Sequence, residues 1–118
     1  MTAYLRVCDE KILKEGDIMG FDYEVNVDNS QSKGNKRLLI AKVGGKIYAT
    51  DGICTHQYAD LSMGILNEDE RTVTCPLHLS AFSLEKGIPL NPPAEEPLKT
   101  YEVFIKPEDG GIYVSLPD

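Results

Sequence analysis

The sequence has no long apolar stretch and few cysteines, and each shortage narrows the classes of protein to which it can belong. No apolar run approaches the length of a membrane span, and the first residues do not form a charged leader followed by an apolar segment. Three cysteines in 118 residues are an odd number for a disulfide framework. We therefore expect a cytoplasmic protein with reduced thiols and no membrane partner.

Basic residues are also scarce relative to acidic ones. The chain has 12 lysines and arginines against 19 aspartates and glutamates, which gives a net charge of −7. Such a surface repels nucleic acid and anionic membranes, so we expect neither as a partner. The charge favours a protein partner with a basic docking patch, or it serves only to keep the chain in solution, and both interpretations stay open.

Helical periodicity is weak, and the pattern is that of one all-β domain over residues 1–118. Aromatic and β-branched residues predict a strand or a pair of strands over 18–27. Gly44 and Gly45 predict a tight hairpin between strands at 38–43 and 46–50, because glycine readily adopts a positive φ. Several short strands separated by turns favour an antiparallel sandwich or barrel.

Two further hairpins and two irregular segments complete this prediction. A turn at 67–70 precedes a return strand at 71–74, and a third hairpin joins 101–105 to 112–115. The polar segment 28–35 predicts a loop. Residues 9–13 form one helical turn at most.

Four of the five cysteine and histidine residues fall in two short arms. The first arm contains Cys54 and His56, and the second contains Cys75 and His78. A Rieske cluster requires this division, because two cysteines hold one iron and two histidines hold the other. A structural zinc module built from the same four residues is the alternative, although zinc fingers usually pair cysteine with cysteine and histidine with histidine at short spacings.

The two arms and their surroundings resemble the Rieske-type [2Fe-2S] ferredoxins, in particular those associated with oxygenases. The resemblance rests on the segments 54–61 and 75–78, with Gly64, Phe82 and Gly87, and it extends over nearly the whole chain. It implies a Rieske-type antiparallel β-sandwich with a small cluster-binding subdomain at about 51–93. It also implies a [2Fe-2S] cluster, with the inner iron on Cys54 and Cys75 and the outer iron on His56 and His78.

The resemblance implies an electron-transfer protein rather than an enzyme. Such a carrier passes single electrons from a reductase to an oxygenase or another oxidoreductase. A small Rieske subunit held in a larger oxidoreductase is the alternative within this class. The sequence contains no mononuclear iron site and no flavin motif, so we do not expect it to oxidise a substrate alone.

The sequence departs from the family pattern at several positions. Leu79 follows the second histidine where a glycine is usual, which predicts a different backbone there. Ala59 and Leu77 stand where respiratory members have a disulfide that braces the arms. Ser80 matches a serine whose hydroxyl bonds to the cluster, whereas Phe82 replaces a tyrosine, so we predict a reduction potential below the respiratory type.

Two other features lie outside the two arms, a pair of prolines and the third cysteine. Pro92-Pro93 resembles a loop that covers the cluster in relatives, and its alternative is a rigid surface turn. Cys8 lies far from both arms, and we expect it to be a small buried hydrophobe.

Overall fold

The computed structural model describes residues 3–26, 33–55, 59–77, 79–92 and 94–116, which form ten β-strands and one short 3-10 turn. The strands are β1 (Ala3–Asp9), β2 (Ile18–Asn26), β3 (Lys33–Val43), β4 (Lys46–Asp51), β5 (Ile65–Asn67), β6 (Thr72–Thr74), β7 (Ala81–Ser83), β8 (Thr100–Tyr101), β9 (Val103–Lys106) and β10 (Gly111–Leu116). The 3-10 turn is Leu61–Met63. Along these described ranges, no helix has the length and apolar character needed to cross a membrane.

The largest sheet has the antiparallel order β2-β3-β4-β8. Its β3–β4 hairpin turns at Gly44 and Gly45, as predicted, with φ values of 61° and 76°. The Glu15 carboxylate accepts hydrogen bonds from both turn amides, at 2.5 Å from Gly44 N and 2.8 Å from Gly45 N. The hairpin therefore depends on glycine conformation and on one distant side chain.

A second sheet, β1-β10-β9, packs against the first and forms a sandwich. Strand β3 contributes alternate residues to two cores, because successive side chains in a strand point to opposite faces. Its Leu38 and Ile40 pack with Ile112 and Val114 of the second sheet. Cys8 is 8% exposed in this same core, and burial raises the pKa of its thiol, so its interpretation as a buried hydrophobe is confirmed.

The third sheet, β5-β6-β7, covers the other face of β3 and carries the candidate site. Leu39 and Ala41 of β3 share a core with Val73 and Phe82 of this sheet. The second arm connects β6 to β7, so it lies at the end opposite to the turn that joins β5 to β6. The antiparallel fold and the predicted turn at 67–70 are thus confirmed.

Some predicted boundaries were wrong. Residues 33–35 of the predicted loop belong to β3 and pair with 24–26, because the ladder is formed by backbone groups. The other residues of that loop, 28–32, lie outside the described part. Tyr101 belongs to β8 and pairs with Ala49, so the third hairpin is β9–β10 alone. The segment 9–13 ends β1 and turns without forming a helix.

Candidate metal centre

The first arm leaves the large sheet at the end of β4 and closes on itself. Cys54 N donates to Ala59 O at 3.0 Å, and Ile53 and Asp60 form an isolated antiparallel bridge. The Cys54 side chain points into the core beneath the third sheet and is 5% exposed. The arm is therefore a narrow loop whose thiol faces the interior.

The second arm is a tight loop between β6 and β7. Cys75 N donates to Ser80 O at 2.8 Å, and Leu79 N donates back to Cys75 O at 3.1 Å. Leu79 has a φ of 61°, the left-handed conformation that favours glycine. The leucine thus adopts a conformation that a glycine would occupy without strain. The prediction that the backbone here differs from that of the family stays a prediction.

A loop after β7 fastens the second arm from outside. Asn91 accepts from Ala81 N through Oδ1 at 2.7 Å and donates to Leu79 O through Nδ2 at 3.0 Å. One amide thus holds the backbone on both sides of Ser80. Thr55 of the first arm donates to Glu96 O at 2.8 Å, so the same segment of chain contacts both arms.

Ser80 is fully buried, and its hydroxyl oxygen accepts a hydrogen bond. Its Oγ accepts a hydrogen bond from Ala94 N at 3.1 Å. Among the described residues no group accepts the hydroxyl hydrogen, which leaves it available as a donor. Phe82, two residues on, is fully buried in the core and has no hydroxyl to offer.

A network of charged side chains holds the base of the first arm, where Asp60 pairs with Ile53. Arg37 of β3 places Nε 3.0 Å from Asp60 Oδ2, a charge contact without the angle of a good hydrogen bond. Burial raises the pKa of Asp60, but hydrogen bonds from Ser62 and the charge contact with Arg37 outweigh it and hold the pKa below its usual value. The contact with Asp60 and then the hydrogen bond to Asp22 raise the pKa of the Arg37 guanidinium. Both partners are therefore charged near neutral pH.

The start of the first arm is also fixed by the carboxyl-terminal part of the chain. The Tyr101 hydroxyl donates to Asp51 Oδ1 at 2.6 Å, and Asp51 N donates to Lys99 O at 2.9 Å. Burial, followed by the bond to Asp51, raises the pKa of Tyr101. The hydroxyl therefore remains protonated and keeps donating over the whole physiological range.

The two arm cysteines belong to one buried cluster of side chains. Cys75 is 1% exposed, and it shares this cluster with Cys54; neither thiol is in a disulfide. His56 and His78, the other two predicted ligands, lie outside the described residues. Within the described ranges no three candidate ligand groups are close enough to hold a metal ion. Two buried thiols and a buried donor at Ser80 nevertheless fit a sulfide-bridged iron cluster, because thiolates would bind its iron and its sulfurs would accept hydrogen bonds.

Sequence reasoning missed three supporting residues, Arg37, Thr55 and Asn91. Each acts through contacts with residues far along the chain, up to 41 positions away for Thr55. Arg37 looks like an ordinary polar residue at the edge of an apolar strand, and Asn91 looks like a turn residue between prolines. No local pattern in a single sequence distinguishes them from such residues.

The comparisons with known proteins agree with this geometry. The family model of the Rieske [2Fe-2S] domain matches residues 3–102. The 3-phenylpropionate/cinnamic acid dioxygenase ferredoxin subunit of Shigella flexneri serotype 5b (strain 8401) is 43% identical over 81 residues, which cover 69% of this chain and 74% of the relative.

Two solved structures have the same architecture. The Sphingomonas yanoikuyae B1 ferredoxin aligns with a TM-score of 0.74 and 28% identity, over 98% of this chain and 100% of that one. A chain from the complex of reduced oxygenase and oxidized ferredoxin in carbazole 1,9a-dioxygenase aligns with a TM-score of 0.73 and 34% identity, over 95% of this chain and 92% of that one. The chain therefore belongs to the Rieske [2Fe-2S] domain family, and the β fold and the [2Fe-2S] cofactor predicted from its sequence are confirmed.

Proposed function

We propose that this chain is a one-electron carrier that receives electrons from a reductase and delivers them to an oxygenase or another oxidoreductase. The observation that carries the proposal is the pair of buried, unlinked thiols, Cys54 and Cys75, which two separate arms bring into one core. The names of the relatives support the partner class, because they are ferredoxin subunits of dioxygenases and a ferredoxin in complex with an oxygenase.

We propose Cys54, His56, Cys75 and His78 as the four ligands. When bound, a [2Fe-2S] cluster with mixed histidine and cysteine ligands supplies one-electron chemistry at a potential above that of four-cysteine clusters. The chain excludes water from the thiol side, since both cysteines are at most 5% exposed. The Ser80 hydroxyl supplies a buried hydrogen-bond donor next to the second arm.

The same proposal includes the domain bounds, the role as a carrier and the location in the cell. We assign residues 1–118 to a single Rieske domain and about 51–93 to its cluster-binding subdomain, a range that includes both arms and β5 to β7. The chain acts as a carrier rather than an enzyme, and it works in the cytoplasm. The dioxygenase ferredoxin relatives support the carrier role.

The first experiment is to record the absorption and low-temperature electron paramagnetic resonance spectra of anaerobically purified protein, before and after dithionite. We expect a red-brown protein whose reduced form has the low average g-value of a mixed histidine and cysteine cluster. A colourless, spin-silent protein that contains zinc would overturn the proposal in favour of the structural zinc module.

Four single variants test the ligand set. Cys54→Ser, His56→Ala, Cys75→Ser and His78→Ala are each expected to abolish the Rieske spectrum. The matched control is Cys8→Ala, which removes the third buried thiol and is expected to keep the spectrum. Retention of the spectrum in any of the four ligand variants would remove that residue from the assignment.

A further inference from the structure

Arg37 occupies the junction between the large sheet and the first arm. Its backbone carbonyl accepts from Gly52 N at 2.7 Å, and Gly52 O accepts from Leu61 N at 2.8 Å. Together with the Ile53–Asp60 bridge, these bonds form the neck on which the Cys54 loop stands. The backbone of Arg37 is thus part of the base of that neck.

The Arg37 side chain then reaches over the same neck and holds its other strand. Nε lies 3.0 Å from Asp60 Oδ2, and Nη2 donates to Ser62 Oγ at 3.3 Å. The second oxygen of Asp60 accepts from Ser62 N at 3.0 Å and from Ser62 Oγ at 2.6 Å, which caps the 3-10 turn. The three side chains form a closed network that we call the neck clasp, defined as Arg37, Asp60 and Ser62.

The clasp is partly shielded from water, which increases its strength. The Arg37 and Asp60 side chains are 26% and 30% exposed, whereas Asp22, which accepts from Arg37 Nη1 at 2.9 Å, is 72% exposed. Charge pairs gain more when water is partly excluded than when both groups are solvated. Water therefore screens the pairing with Asp60 less than the pairing with Asp22.

Two glycines leave the space that the guanidinium occupies. A Cβ on Gly20 would lie 2.4 Å from Arg37 Nη2 and 2.7 Å from Ser62 Oγ. A Cβ on Gly52 would lie 3.0 Å from Arg37 Cγ. The position of the Arg37 side chain therefore depends on the absence of side chains at Gly20 and Gly52.

We propose that Arg37 is a positioning residue for the metal centre, which fixes the first ligand arm to the large sheet through Asp60 and Ser62. The inference rests on the proposed ligand Cys54, which lies inside the loop that the clasp closes. None of the three cysteines forms a disulfide, so no disulfide joins the first arm to the rest of the chain. The clasp supplies a non-covalent brace on the first arm.

The test uses the cluster-loaded protein and three variants. Arg37→Met removes the guanidinium, Arg37→Lys keeps a charge but loses the forked donors, and Asp22→Asn removes the exposed partner only. The readouts are the g-values of the reduced protein, the reduction potential, and the rate at which a ferrous chelator bleaches the visible absorption. Urea unfolding monitors global stability in parallel.

We expect Arg37→Met to release iron at least tenfold faster than the wild type and to shift the g-values. Arg37→Lys should recover part of both effects, and Asp22→Asn should stay within twofold of the wild type. Wild-type g-values and release in Arg37→Met, or equal effects in Arg37→Met and Asp22→Asn, would overturn the inference. So would a loss of global stability with unchanged spectrum and potential, because that is the result of a merely structural role.

A charge-neutral variant keeps the test decisive if Arg37→Met does not fold. Gly20→Ala displaces the guanidinium by its added methyl group and changes no charge, so a shift in potential or g-values there reports geometry rather than electrostatics. Unchanged spectrum and release in Gly20→Ala and Asp60→Asn would also overturn the inference. Failure of the proposed function is distinguishable, because the wild-type protein itself would then lack the Rieske spectrum.

Discussion

At the scale of single residues, Leu79 and Ser80 contribute to the second arm in opposite ways. Leu79 is 60% exposed and held at a φ of 61°, so its side chain gains little from packing while its backbone is strained. Ser80 is fully buried and bonded to Ala94 N. One residue costs stability in the arm, and the next gives the arm a polar group facing the interior.

We expect Leu79→Gly to stabilise the protein by up to about 1 kcal/mol, because the left-handed strain of a leucine exceeds the entropy that a glycine adds to the unfolded chain. The measurement is urea unfolding of the loaded protein. The control is Leu77→Gly, in the same arm and 58% exposed but without a positive φ. That change should destabilise by about 0.5–1 kcal/mol, and equal effects of the two substitutions would contradict the strain argument.

Ser80→Ala should lower the reduction potential. A hydroxyl that donates to a cluster sulfur stabilises the more negative, reduced form by about 1–2 kcal/mol. This free energy corresponds to about 40–90 mV for a one-electron couple. Protein-film voltammetry measures the shift directly. The control is Ser83→Ala, which removes an Oγ that caps Lys86 N in the turn after β7. An unchanged potential in Ser80→Ala would show that its hydroxyl points elsewhere.

At the scale of elements, the turns hold the sheets in register. Two glycines in turns have the same backbone conformation but different surroundings. Gly45 and Gly87 both have a φ of 76°. A Cβ on Gly45 would meet nothing within 4 Å, whereas a Cβ on Gly87 would lie 2.1 Å from Leu98 O. The backbone of Gly87 also bonds to Ser83 O and Leu98 N, so it joins the third sheet to the segment that leads into β8.

Gly45→Ala should destabilise the protein by about 1–2 kcal/mol, the cost of a left-handed alanine alone. Gly87→Ala should cost more than about 3 kcal/mol, since the backbone must also move away from the added methyl group. Thermal and urea unfolding of the two variants give the comparison. Similar losses of unfolding free energy in the two variants would mean that the backbone around Leu98 moves at little cost.

Much of this element structure could be predicted from the sequence, and the failures have one cause. The Gly44-Gly45 hairpin and the turn before β6 have local signals, because turn conformation depends on neighbouring residues. Tyr101 was assigned to the wrong hairpin because its partner, Ala49, is far away along the chain. The proposed cysteine ligands stand in a recognisable motif, but the Arg37 and Asn91 contacts that hold the arms join residues that no local pattern connects.

At the scale of the whole molecule, the net charge is −7, and some of the carboxylates that contribute to it are stabilised by hydrogen bonds. Three carboxylates, Glu15, Asp60 and Asp109, have pKa values below the usual range. For Glu15 the cause is hydrogen bonding by the Gly45 and Gly44 amides, and for Asp109 it is the Tyr113 hydroxyl followed by the Gly111 amide. The expectation that the acidic surface selects a basic partner stays a prediction.

These pKa shifts predict a loss of stability in acid. A carboxylate whose pKa is lower in the folded state binds fewer protons there than in the unfolded chain, so its contribution is complete above the unfolded pKa and disappears as the pH falls through the folded one. Glu15→Gln should therefore reduce the urea midpoint at about pH 7 and reduce it less at about pH 4, where the wild type has lost part of this contribution. A constant difference between the two proteins across this range would contradict the assignment.

The burial of the two arm thiols also has a consequence for loading of the proposed cluster. Cys54 and Cys75 are closed off by the same packing that completes the core, so we expect iron and sulfide to reach them only while the arms are apart. Loading is then tied to synthesis and to rare local opening. We therefore expect a cell that makes the chain faster than it supplies iron to accumulate folded protein that loads slowly even after iron returns.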